Sequence, residues 1–324
     1  MNDITLESDE LAVTLDPDRG AEFTSLRVRR SGTELLGRTP WLPRALRLRT
    51  RPSQLFHPDS ESAWLEGYRG GWQTLFPNAG PASAVAGAQQ GFHGEASVAS
   101  WQLEHVARTE AQLAIELFTA PLRLDRHVRL DGGVLRVNDT VRNLAGVETS
   151  YDYVHHPAFG APLISPGTQV DTGARTFVAP DRAAPLPAGR YAWPAASAAG
   201  ITVDLSVAPE QPLARYGWLA DFDAPWYAIR NVNLDLGVAV AWAGHGMDYA
   251  WLWQELHGTP GFPWFGRAYL MAVEPATTGG SGPDLQRQTL PPHGQADYAV
   301  TLAVIPGRQR VQSMSVDGTL HTLS

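Results

Sequence analysis

The chain has 324 residues, 44% of them hydrophobic and 18% charged, the proportions of a globular protein with a sizeable core. Its net charge of −8 comes without a basic patch, which argues against a nucleic-acid partner, and no run approaches the roughly eighteen consecutive apolar residues of a membrane helix. Cysteine and lysine are both absent, which excludes thiolate nucleophiles, disulfides, Schiff bases and a P-loop lysine and leaves carboxylate, histidine, hydroxyl or metal chemistry.

The amino-terminal MNDITLESDELAVTLD is acidic and alternating, with no basic and apolar leader, so no secretory signal is predicted and a cytoplasmic location is expected. From there, apolar residues recur at alternate positions in LAVTLD (11–16), FTSLRV (23–28), WQLEHV (101–106), LAIELF (113–118), LDRHVRL (124–130) and LRVNDTVRNL (135–144). That period marks half-buried strands, and SGTE, LDGG and NLAG between them suit tight turns. ITVDLSV (201–207), LGVAVAW (236–242), AYLMAVEP (268–275) and ADYAVTLAVIP (296–306) read the same way. Ala79–Gln90 and Pro180–Ala199, rich in small residues and proline, are predicted as structured loops. No long segment has the 3.6-residue period, and no solenoid repeat is present, so the expectation is one mostly β domain with few short helices.

Of ten histidines, three have unusual surroundings. His93 lies between Gly91 and Gly94, where backbone can approach a ligand closely. His155 and His156 stand in HHPAFG at the end of a predicted strand, whereas His105 and His127 read as ordinary strand residues. Adjacent histidines on a strand point to opposite faces and do not chelate one ion; HExxH and GxSxG are also absent, so neither a metal site nor a serine hydrolase is predicted. Glu274 closes the apolar run AYLMAV, where partial desolvation would raise its pKa toward that of a useful general base. Asp221 and Asp223, in WLADFDAPW, are further acidic candidates and are read as loop residues. Among eleven tryptophans, Trp72, Trp251, Trp253 and Trp264 sit near loop signals, and an indole face suits the C–H face of a pyranose as well as it suits a core.

Six segments in order resemble the galactose-mutarotase-like superfamily and, within it, the aldose 1-epimerases. They are RGAEFTSLRVRRSGTELL (19–36), RGGWQTLFPNAGP (69–81), GFHGEASVASW (91–101), LDRHVRLDGGVLRVNDTVRNLAG (124–146), HHPAFG (155–160) and FGRAYLMAVEPAT (265–277). The second is similar to the hexose-6-phosphate epimerase branch. The resemblance implies a large antiparallel β-sandwich, the supersandwich of that superfamily, formed by residues 1–324 as a single domain. It also implies anomer interconversion of an aldose through the open-chain aldehyde, without a cofactor.

On this resemblance Glu274 would be the general base at the anomeric hydroxyl, His156 the acid at the ring oxygen and His93 a hydrogen-bonding aid. Arg69, Gln73, Asn78, His155, Asp223 and Trp253 would bind the sugar. The phosphohexose branch carries an arginine after the His-Gly histidine, suited to a phosphate. Here the stretch reads HGEASVAS, and the Glu95 carboxylate is expected to repel a phosphate. The expected partner is a small-molecule sugar, with no nucleic acid or membrane, and the chain would act as a monomer or, through exposed strand edges, a homodimer. A non-catalytic carbohydrate-binding protein of the same fold is the alternative, and a lyase or hydrolase of the same sandwich class a third; an acid–base pair favours the epimerase.

Overall fold

The computed structural model describes residues 3–48, 55–57, 59–181, 186–198, 200–280 and 286–323. Where the apolar alternation is regular, the chain is strand. LAVTLD forms Leu11–Asp16, with Leu11, Val13 and Leu15 fully buried. In Leu122–Asp131 and Val134–Asn143 the same period buries Leu124 and Val128 on one strand, Leu135 and Val137 on the next. Burial of each such side chain stabilises the fold by about 1.5–3 kcal/mol. LDGG supplies the hairpin between these two strands, pairing Asp131 with Val134, and Gly132 takes the φ of 56° that a two-residue turn demands.

Seventeen of the described strands join one antiparallel sheet whose path makes the sandwich. Gln102–Val106, Glu110–Glu116, Leu122–Asp131, Val134–Asn143, Gln295–Ile305 and Leu236–Gly244 pair in succession. They end on the carboxyl half of Leu213–Asn231, a 19-residue strand. Its amino half pairs with Tyr249–Leu256, and the sheet continues through Tyr269–Ala276, Val154–Gly160 and Gly71–Leu75 to Glu22–Val28. One long strand therefore serves both layers, and the apolar faces meet in a core that includes Leu6, Val13, Leu124, Val137, Phe177 and Leu302. The described residues include two short helices, Leu42–Ala45 and Glu61–Gly67, and a 3-10 turn at Glu95–Ser97. No helix among the described residues is long and apolar enough to cross a membrane.

A polar network is sealed inside this core. Arg126 donates through Nε and Nη2 to both oxygens of Asp139 and through Nη2 to Thr74, while its guanidinium lies 4.9 Å from the Trp101 ring centre. The Tyr153 hydroxyl donates to Asp139 at 2.7 Å and lies 2.6 Å from His155 Nε2, and Trp72 Nε1 donates to His155 Nδ1 at 2.9 Å.

Three readings of the sequence are corrected. Ala79–Gln90 is not all loop: Ser83–Val85 and Ala88–Gln90 form a hairpin, each strand too short for a period to show. Within Pro180–Ala199 the strands Gly189–Ala192 and Ala195–Ala198 appear, while 182–185 and 199 lie outside the described residues. The acidic stretch WLADFDAPW lies inside the long strand, not in a loop.

Candidate active site

The sheet register assembles the centre of the site. Val154 pairs with Ala276 and Ala158 with Ala272, which brings His156 level with Glu274 on the neighbouring strand. His156 also pairs with Gln73, and Glu274 with Trp251, which in turn pairs with Trp218. All of these side chains share one face. Pro157 and Pro275 follow the two ionisable residues directly; with no N–H to give, they leave the ladder between the two strands open at this point.

His156 Nε2 lies 3.6 Å from Glu274 Oε1. Both side chains are buried, and Glu274 Oε2 and His156 Nδ1 make no hydrogen bond. Burial pushes the Glu274 carboxyl well above the usual carboxylate range and pulls His156 down to about 4. Between those limits the pair carries one proton and no net charge.

His93 completes the group from the loop before the 3-10 turn, its ring centre 5.9 Å from that of His156. The Gly80 amide donates to His93 Nδ1 at 3.0 Å, and the Gly80 carbonyl accepts from the His93 amide at 3.0 Å. With Nδ1 filled as an acceptor, the neutral ring must carry its proton on Nε2 and can only donate there. Burial, and then His156, hold its pKa well below the ordinary value, so the ring is neutral. The glycines around it serve the protein's own packing and not a ligand: a Cβ on Gly91 would fall 1.4 Å from the Leu55 carbonyl oxygen, one on Gly94 2.4 Å from that of Phe76.

These three groups line a cavity of about 400 Å³, within the span typical of small-molecule pockets. Its walls are largely aromatic, with Trp64 and Tyr68 from the helix Glu61–Gly67 and its C-cap, Phe92 beside His93, and Trp264 from the loop after Leu256. Tyr216 and Trp251 face it from paired strands together with the predicted Trp253. Two indoles have their N–H groups occupied, Trp64 by Ser97 Oγ at 3.0 Å and Trp251 by the Thr278 carbonyl at 2.8 Å, and so present carbon alone. The Tyr68 hydroxyl makes no hydrogen bond, and Glu61 stands exposed at the rim. Among the described residues no three histidine or acidic side chains cluster as a metal site requires.

Glu274, His156, His93 and Trp253 thus come together, and the other five predicted sugar ligands do not line this cavity. His155 faces the opposite side of its strand, fully buried with both ring nitrogens engaged in the core network. Arg69 is paired with Asp16 at 2.7 Å and Glu22 at 3.0 Å. Gln73 donates to Glu22 and to the Gly70 carbonyl, and Asn78 ties the Pro81 and Gly91 carbonyls together, which braces the loop carrying His93. Asp223 is exposed and 3.4 Å from Arg175, and Asp221 bonds Thr176 and Arg190 on a separate surface.

Glu95 also changes role. Its carboxylate accepts from the Phe118 and Thr119 amides and the Thr119 hydroxyl and does not line the cavity, so it exerts no direct repulsion on a ligand there. Replacing it with alanine strands three donors. Glu95→Ala should therefore lower unfolding free energy by about 1–3 kcal/mol, read from the urea midpoint, and leave the order of sugar preference unchanged.

Trp64, Tyr68, Phe92 and Tyr216 were not anticipated as walls, whereas Trp251, Trp253 and Trp264 were among the indoles singled out in the sequence. A signal for Tyr216 exists in YGW (216–218) and WLW (251–253): aromatics two apart share a strand face, and here the two strands are neighbours.

A family model described as Domain of unknown function (DUF4432) matches residues 3–304. No curated protein matches the chain. Among solved structures it is similar to a galactose mutarotase-like protein from Lactobacillus casei ATCC 334, with TM-score 0.66, 15% identity, and 94% of this chain and 100% of that one covered. It is also similar to a galactose mutarotase related enzyme from Lactobacillus acidophilus, with TM-score 0.64, 14% identity and coverages of 94% and 98%. A candidate aldose 1-epimerase from Escherichia coli K12 gives TM-score 0.65, 14% identity and coverages of 94% and 99%. The shared feature at these identities is the fold, which is the galactose mutarotase-like sandwich.

Proposed function

We propose that this chain, which belongs to the DUF4432 family, is an aldose 1-epimerase that interconverts the α and β anomers of a sugar through its open-chain aldehyde. The observation that carries the reading is the Glu274–His156 pair, 3.6 Å apart, with an unfilled polar atom on each residue, in an aromatic cavity of sugar size. Mutarotation requires one proton to leave the anomeric hydroxyl while another reaches the ring oxygen. A pair holding a single proton supplies one base and one acid.

Burial places that proton on the carboxyl. Sugar hydroxyls that donate to Glu274 favour its ionised form, and the proton then passes to His156 without creating net charge. Glu274 removes the O1 proton, His156 protonates the ring oxygen and the bond from C1 to that oxygen breaks. Rotation about C1–C2 exposes the other carbonyl face. The C5 hydroxyl attacks it, returning its proton to His156 while Glu274 reprotonates O1. His93, a donor at Nε2, stabilises charge on whichever oxygen it reaches.

The test is the equilibration of freshly dissolved aldoses, followed by polarimetry or NMR. The protein should accelerate it, and His156→Gln should lower kcat/KM by about a hundredfold or more. Saturable sugar binding with no acceleration of any aldose would instead identify a non-catalytic binding protein.

A further inference from the structure

We propose that the sugar bound here is neutral and carries a methyl in place of a hydroxymethyl or charged group on C5, a 6-deoxyhexopyranose. The inference rests on the epimerase reading, because that reading orients the ring. With C1 at Glu274 and the ring oxygen at the histidines, C5 is bonded to the very atom the histidines address. Its substituent, two bonds from the ring oxygen, must lie among the rings packed around His93 and His156.

Those rings offer little to an oxygen. The Phe92 ring centre is 3.9 Å from that of His93, and Trp64 is 4.6 Å from His93 and 6.4 Å from His156. Phenylalanine has no polar atom, and the indole N–H of Trp64 is already bonded to Ser97. Trp253 closes the other side, 5.8 Å from His156. The polar exceptions are the Tyr68 hydroxyl and the Trp253 indole N–H, carried on rings whose centres lie 5.8 Å from that of His156, whereas the rings packed on His93 are Phe92 and Trp64, so the His93 side of the ring oxygen is the apolar one. A hydroxymethyl group there would lose its water without regaining a partner, whereas a methyl gains buried apolar contact.

Charge points the same way. No arginine is among the described residues lining the cavity, the chain has no lysine, and Glu61 and Glu274 contribute carboxyl groups to the wall. A phosphate on C6, or a uronate carboxylate, would meet no cation among the described residues.

Three matched pairs separate the possibilities: D-fucose with D-galactose, D-quinovose with D-glucose, and L-rhamnose with L-mannose. Glucose 6-phosphate and glucuronate serve as charged members. Mutarotation kinetics by NMR exchange give kcat/KM, and quenching of tryptophan fluorescence gives Kd independently of turnover. The 6-deoxy sugar should lead in at least two pairs by about tenfold or more in both measurements, with no detectable use of the charged sugars. Phe92→Gln should shrink that lead toward one. Equal or reversed preference within the pairs, preferred use of a charged sugar, or no binding by any member overturns the proposal. Binding in the expected order without accelerated mutarotation sinks the epimerase reading while the sugar class stands.

Discussion

Glu274→Gln should abolish nearly all catalysed anomer interconversion, lowering kcat about a hundred- to ten-thousand-fold, while making the protein more stable at neutral pH. The substitution keeps the shape of the side chain and removes the only carboxylate placed level with His156. Loss of activity follows from the mechanism. The gain in stability follows from the cost of burying an ionisable group with an oxygen that makes no hydrogen bond.

Burial raises the folded pKa of Glu274 above its unfolded value near 4.3, so its contribution to stability is whole below about pH 4 and declines as the pH rises. Glutamine has no such decline. Its advantage over the wild type should grow from nothing near pH 4 to about 1–2 kcal/mol at pH 7, measured by denaturant unfolding at both values. A glutamine variant less stable than the wild type at pH 7 would show that Glu274 is a structural residue.

Asp139→Ala should have the largest effect on stability, about 3–5 kcal/mol, because it leaves the Arg126 guanidinium buried without its partner. Both residues are 2% exposed, and Asp139 also accepts from Tyr153. His155, held neutral with its pKa down at about 3 chiefly by burial, cannot replace the lost negative charge. The damage should extend to function, since the strand that carries His155 inward presents His156 outward. Asp139→Asn, which keeps an acceptor, should lose less, and the difference between the two variants in urea midpoint separates shape from charge. Equal midpoints for wild type and Asp139→Ala would remove the network from any account of the fold.

Much of the sandwich was legible in the sequence because a half-buried strand writes its burial into alternate positions. Leu11–Asp16, Leu122–Asp131 and Val134–Asn143 are of this kind, or nearly so. The long strand Leu213–Asn231 was not, since it changes layer partway, with Asp221 at a φ of 54° and Pro225 near the change, and no single period covers it. The candidate site divides along a similar line. His93, His156 and Glu274 stand in short motifs that carry their own context. His155, next door to His156, was assigned to the sugar on the resemblance, although a one-residue step along a strand reverses the face and the sequence does not say which face holds the core. Arg69 and Asp16 are 53 positions apart, and Glu95 reaches Phe118 and Thr119 across 23 and 24; bonds of that range neutralise a charged residue without any local mark.

The strand Gln295–Ile305 lies between Val134–Asn143 and Leu236–Gly244, two segments that are not paired with each other along their lengths. While the protein is being made, the layer it belongs to has an empty seat until about residue 305 is available. Both flanking strands then expose unpaired N–H and C=O groups, the template on which stray strands dock. Assembly must therefore wait on a late, sequence-distant pairing, which makes folding slow and the unfinished chain adhesive. For expression, truncation upstream of this strand should yield aggregates instead of a smaller folded protein.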